Sequence, residues 1–115
     1  FSNIGAYRKY VNGYFGKYDL LLSPSLAVPA FDIGDEPDVI GGKQVPHRLW
    51  GFTPFTYLFN MTGNPGASAP AGFSSDGLPI GLQIVGDMKD EVSVLASSAA
   101  LEEARPWADK RPPVS

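Results

Sequence analysis

Ile4, Tyr7, Val11, Phe15 and Tyr18 recur at three- and four-residue intervals behind Ser2. That spacing places them on one face and predicts an amphipathic helix over residues 3–18, with Ser2 as its N-cap. Asp19 leads into LLLSPS, a short continuous apolar run stopped by Pro24, as expected of a strand covered on both faces. From Leu26 to Gly51 no period is sustained, so this stretch is predicted to be a long irregular connection, a feature often tied to function within a compact domain.

The pattern then sharpens. Thr53 and Pro54 form a helix-start signal, Phe55, Leu58, Phe59 and Thr62 share one face, and Gly63 is a stop, which predicts a short helix over residues 54–62. Pro65 pushes Asn64 towards extended backbone, and GASAPAGF reads as a strand of small residues ending before an Asp76-Gly77 turn. LPIGLQIVGD is the return strand, with Ile80, Leu82 and Ile84 on one face and Gly81, Gln83 and Val85 on the other. Asp87 or Asp90 caps a final helix with Val92, Leu95, Ala96 and Ala99 as its stripe and Glu91 near its positive end. Arg105-Pro106 ends that helix, and Trp107 anchors a proline-rich surface tail. The order predicts an α/β arrangement with few strands of its own.

Composition narrows the classes. The chain has 115 residues, 43% hydrophobic and 18% charged, which fits one folded domain burying roughly two thirds of its unfolded surface. A net charge of -3 without a basic stripe argues against nucleic acid as a direct partner. No apolar run approaches the ~20 residues of a membrane span, and FSNIGAYRKY lacks a signal-peptide pattern, so a soluble, cytoplasmic protein is expected. With no cysteine and a single histidine, neither a disulfide nor a common metal spacing is available, and no cofactor is expected. A first residue of Phe rather than Met leads to the expectation that the chain belongs to something longer.

The residues FNMTGNPGASAPAGFSSDGLPIGLQIVGDMKDE resemble the C-terminal signature of the amidase-signature family. That signature runs apolar-Asn-apolar-small-Gly-x-Pro, a small-residue strand ending in Pro-x-Gly, then Asp/Asn-Gly-Leu-Pro-x-Gly-Leu-Gln-apolar-apolar-Gly. YDLLLSPSLAVPA and EEARPWADKRP resemble its flanking segments, and residues 33–49 are the least specific part. The resemblance implies that residues 1–115 are the C-terminal part of the amidase-signature fold, a mixed sheet flanked by helices and incomplete in this chain. It also implies cleavage of amide or ester bonds by a Ser–cis-Ser–Lys triad lying upstream, so no catalytic residue is expected here. The matched segment would back the active site and shape the substrate pocket.

The candidate chemistry differs from residue to residue. Ser74 and Ser75 precede a tight, solvent-facing turn where no base is implied, which favours a structural role over a nucleophilic one. Lys43 reads as a solvated lysine, and His47 as an ordinary loop histidine without a partner carboxylate. Thr53 stands where amidotransferase subunits of the family place an ammonium-binding Asp. It reads chiefly as an N-cap, so Thr53→Ala is expected to cost about 1 kcal/mol, with substrate contact as its other role. Trp50, Phe52, Phe55 and Tyr57 form either core or pocket wall, and Gln83 either satisfies backbone groups or bonds a ligand. Trp50, Thr53 and Tyr57 are thus the candidate substrate-binding residues. The leading expectation is an amidase acting on a small neutral amide. The alternatives are the amidase subunit of a tRNA-dependent amidotransferase and a non-catalytic α/β binding module. Uncovered strand edges and apolar faces further predict self-association, unless the missing upstream part of the fold covers them.

Overall fold

The computed structural model describes residues 2–114. Helix α1 runs Ser2–Phe15, and the capping role expected of the Ser2 side chain lies outside the described residues. Val11 and Phe15 are its buried positions, with Tyr7 and Tyr14 packed beside them, as the spacing predicts. Tyr18 does not belong to the helix. Gly16 and Lys17 turn the chain, with Lys17 N–H reaching Tyr14 O at 3.0 Å and Tyr18 N–H the same carbonyl at 3.1 Å. Tyr18 instead stacks on Tyr14, ring centroids 4.8 Å apart.

Strand β1 (Leu20–Pro24) pairs with β5 (Pro79–Gly86), whose other neighbour is β4 (Gly66–Phe73), giving the order β1-β5-β4. Both pairings are antiparallel, so the mixed character expected of the sheet is not displayed within this chain. Nor is β1 covered on both faces: Leu21 joins the core, while Leu22 stays 58% exposed. The cluster around α1 covers the Leu21 face and leaves the Leu22 face open. The β4–β5 hairpin forms as its sequence dictates, with Gly77 at φ 85° supplying the left-handed turn residue and a bulge between Pro70 and Gly72. Val85 is fully buried among Val11 and Phe15 of α1, with Leu21 and Phe59 packed against them.

The connection from Leu26 onward is largely irregular, but it holds a short antiparallel pair, β2 (Val39–Ile40) and β3 (Lys43–Gln44). Gly41 and Gly42, at φ 59° and 78°, make its two-residue turn. Helix α2 (Arg48–Gly51) follows, and α3 covers Tyr57–Thr62. The helix expected from Pro54 therefore starts three residues late, while Gly63 ends it as expected, at φ 82°.

Helix α4 (Glu91–Ala104) packs on β4 and β5, but not through the stripe that the spacing suggests. Val92 and Leu95 point outward at 77% and 67% exposure, and Val94 is the buried residue at 4%. Apolar and small residues occur almost all round this helix, so periodicity alone does not choose a face. The face that wins is the smaller one. Ser97 and Ser98 flank it, their hydroxyls donating to Ser93 O at 2.6 Å and Val94 O at 2.8 Å, which satisfies them without an external partner. Opposite Val94 stands Gly86, where a Cβ would come within 2.8 Å of Val94 Cγ2. Trp107 is half-buried. Among the described residues no helix is long and apolar enough to cross a membrane.

Asp90 is the N-cap of α4, its carboxylate accepting Ser93 N–H at 3.2 Å. Hydrogen bonding to the Ser93 side chain and backbone holds this carboxyl below the usual carboxylate range. A pKa depressed on folding stabilises the fold above the unfolded value, near 3.9, and that contribution is lost as pH falls through the folded pKa. The melting-temperature gap between wild type and Asp90→Ala is therefore expected to hold steady from about pH 7 to 5 and to close below about pH 4. A gap independent of pH would show that the charged cap is not its source.

Candidate functional site

Two clefts meet at Ser68 of the small-residue strand β4. The first, about 320 Å³, is lined by residues 25–30 with Ser68, Pro79, Ile80 and Gly81. Its wall is the chain leaving β1: Ser25 N–H bonds Gly81 O at 2.9 Å, and Ala27 N–H bonds Phe52 O at 3.1 Å. Across its floor the hydroxyls of Ser25 and Ser68 lie 2.5 Å apart. Glycine is needed at position 81, since a Cβ there would stand 2.7 Å from each of those oxygens. Apart from the two serines and the backbone, the lining is apolar.

The second cleft, also about 320 Å³, lies between α3 and the hairpin, lined by Thr56, Phe59, Asn60, Asn64, Gly66, Ala67, Ser68 and Gln83. Ser68 borders both clefts. Gln83 is buried and holds three elements together, its Nε2 donating to Phe55 O at 2.8 Å and to Ser23 Oγ at 3.1 Å. Asn64 is equally buried; its Nδ2 donates to Gly86 O at 3.0 Å, while Oδ1 has no partner among the described residues. An acceptor left so costs about 1–3 kcal/mol. No charged residue lines either cleft.

The residues singled out from sequence sit as follows. Trp50 is on α2 and 61% exposed. Thr53 does not cap α3: its Oγ1 donates to Trp50 O at 3.1 Å, and Thr56 occupies the N-cap position with its own hydroxyl donating back to Thr53 O rather than accepting a helix N–H. The physical reason is α2, whose last turn brings the Trp50 carbonyl within reach of the Thr53 hydroxyl. Tyr57 opens α3 at 40% exposure, close enough to Tyr7 that burial and then Tyr57 raise the Tyr7 phenol above its ordinary pKa. Thr53 and Trp50 are thus joined, Tyr57 faces another neighbour, and none of the three lines either cleft. In the aromatic cluster Phe52 packs edge-on against Phe31, centroids 5.0 Å apart.

His47 is the N-cap of α2, its Nδ1 accepting Leu49 N–H at 3.2 Å. Ser74 serves the hairpin turn, bonded to the Asp76 carboxylate and accepting Leu78 N–H at 3.1 Å. Lys43 lies exposed on β3. Among the described residues no group of three or more His, Asp or Glu side chains is placed to hold a metal ion. Sequence reasoning passed over Ser25, Ser68 and Asn64. Asn64 drew notice only as a backbone position before Pro65, and nothing in the pattern marked the two serines.

Comparison with known proteins gives this architecture a class. Residues 2–95 match the family described as Amidase. An acylamidase from Rhodococcus erythropolis is 40% identical over 100 residues, 86% of this chain and 21% of that protein. A glutamyl-tRNA(Gln) amidotransferase subunit from a Synechococcus is 41% identical over 100 residues, 87% of this chain and 18% of its own. A crystal structure of a bacterial aryl acylamidase of the amidase-signature enzymes superposes with a TM-score of 0.82 at 39% identity, covering 95% of this chain and 24% of that one. The chain belongs to the amidase-signature family and spans about a fifth of the length of these relatives.

Loss of the Gln83 amide leaves Ser23 and Phe55 without their donor, so Gln83→Ala is expected to destabilise the fold by about 1–3 kcal/mol in urea unfolding. Thr53→Ala, which removes no cap, should stay within about 0.5 kcal/mol. A larger loss at Thr53 than at Gln83 would reverse this assignment.

Proposed function

We propose that this chain is the C-terminal portion of an amidase-signature hydrolase that cleaves a neutral carboxylic amide, with the Ser–cis-Ser–Lys residues supplied by the part of the fold upstream. The observation that carries the reading is the uncharged lining of both clefts, because a charged substrate brought out of water needs a compensating partner. The acylamidase and aryl acylamidase names of its relatives support the same choice. In such an enzyme one serine attacks the carbonyl, the second serine and the lysine relay protons, and backbone N–H groups hold the oxyanion. This chain contributes wall and scaffold. Trp50 and Tyr57, exposed on α2 and α3, together with Thr53, are proposed to meet substrate in the assembled enzyme.

The second reading is the amidase subunit of an amidotransferase, favoured by the 41% identity to such a protein. Against it stands Thr53, a neutral side chain where the ammonium of glutamine would need a carboxylate. The test is turnover. The 115-residue chain alone is expected to release no nitroaniline from 4-nitroacetanilide. A polypeptide that also carries the upstream part should do so, with kcat/KM at least about tenfold above that for glutamine, the order of discrimination expected of an apolar pocket. Preference for glutamine would install the amidotransferase reading. Activity of the short chain that vanished on Ser74→Ala or Lys43→Ala would overturn both.

The surfaces left open are proposed to take the remainder of the fold or, without it, a second copy. Leu22, Val92 and Leu95 are more than half exposed, and β1 and β4 are sheet edges. Sedimentation of the chain at micromolar concentration is expected to show a dimer or larger species. A well-folded monomer with two-state unfolding would favour the self-sufficient binding module instead.

A further inference from the structure

We propose that the outer face of α4 docks a helix from the upstream part of the polypeptide, apolar along one stripe and carrying lysine or arginine beside it. This rests on the reading of the chain as part of a longer fold and adds which surface is covered, and by what chemistry. Val92, Leu95, Ala96 and Ala99 follow one another at i, i+3, i+4 and i+7, and all four are exposed. They form a stripe along one side of the helix, whereas Val94, on another side, is buried where α4 packs on β4 and β5. A helix apolar on two sides belongs between two layers, and this chain supplies one of them. The second layer is a helix, because the stripe is narrow and Ala96 and Ala99 let another helix axis come close.

Charge decides what flanks the stripe. Glu91, Glu102 and Glu103 are the charged residues of α4, and all are exposed. Glu91, Leu95 and Glu102 share one edge of the stripe at i, i+4 and i+11, and Glu103 follows Ala99 at i+4. Among the described residues the ion pair is that of Arg48 with Glu36, so none of these three carboxylates has a cation in contact, neighbouring Arg105 included. Glu102 and Glu103 also occupy the last turn, the negative end of the helix dipole, where an acid is unfavourable until a cation stands by. A second copy fits this face poorly. Antiparallel pairing sets Glu91 against the other copy's Glu102 and Glu103, and parallel pairing sets each against its own counterpart. Self-association of the short chain is then left to the edges of β1 and β4. Because the chain spans 21% of the Rhodococcus acylamidase and 24% of the aryl acylamidase, relatives of that length have ample polypeptide outside the matched part to supply the helix.

Coverage is read with the thiol of Val92→Cys, since the chain has no cysteine of its own. In the 115-residue chain it should react with a maleimide about as fast as in urea. In the polypeptide that also carries the upstream part, labelling of the same peptide should be at least about tenfold slower, as for a site that opens only by local unfolding. Glu102→Lys with Glu103→Lys should recover about tenfold of that rate, and lysines suit the last turn of a helix, so this variant keeps its fold. Chemistry is read with a synthetic amphipathic helix of leucines flanked by lysines, titrated into the ¹⁵N-labelled short chain. It should shift the amide signals of Val92, Leu95 and Ala99 and bind at least about tenfold tighter than the same peptide with glutamate for lysine. The double lysine variant should invert that order. Protection of the thiol in the short chain would assign the face to a second copy, fast labelling in the longer polypeptide would leave it uncovered, and equal binding of the two peptides would remove the role of charge. Each of these overturns the proposal. Turnover is not measured, so failure of this face and failure of the hydrolytic reading are told apart.

Discussion

The burial of β5 is the constraint on which the other elements depend. It is the central strand, paired on both sides, and Gln83, Ile84, Val85 and Gly86 are its buried end. Three attachments follow from those four residues. Val85 packs against α1, Gly86 admits Val94 of α4 where any side chain would collide, and the Gln83 amide ties β1 to the turn before α3. A polar residue in so apolar a strand is tolerated because both of its N–H groups are bonded, and that requirement also makes it directional. An apolar residue of like volume could fill the space without specifying where Phe55 and Ser23 must sit.

Elements whose signal is local and chemically unambiguous were legible in the sequence. Asp76-Gly77 gives a hairpin because Gly77 can take a positive φ, Gly63 stops α3 for the same reason, and Asp90 caps α4 through a short acceptor side chain. The misreadings arise where two local signals compete or where a signal is missing. Helix α2 is too short to show a period and is capped by a histidine, an uncommon choice, so it was invisible. Once α2 exists, its Trp50 carbonyl takes the Thr53 hydroxyl that the Thr-Pro pattern assigned to a cap. In α4 the spacing pointed to Val92, Leu95, Ala96 and Ala99, but close packing against glycine buried Val94 instead, the residue that allows the nearest approach.

The candidate site was legible only in part, for a related reason. Family motifs could be recognised in GASAPAGF and GLPIGLQIVG, and Gln83 stood out as a polar residue in an apolar strand. Both clefts, however, are made by what is small or missing: Gly81 beneath two serine hydroxyls, Gly66 and Ala67 along β4, and a backbone that turns at residues 25–30. Pattern reading weighs bulky residues, and a cleft is where bulk is withheld.

Small residues along β4 therefore have two consequences at once. They let Ser68 approach Ser25 closely, and they leave volume around it, so that an apolar cleft and an amide-lined cleft meet at a single residue. The same choice denies β4 the side chains with which to build a core. Buried hydrophobic residues among those described are few, while large ones such as Leu22, Trp50, Val92 and Leu95 are exposed. Packing in this chain is concentrated around β5 and falls away towards β4 and the outer face of α4. A fold organised in this way places its stability at one strand and leaves its neighbours' outer surfaces uncovered within this chain.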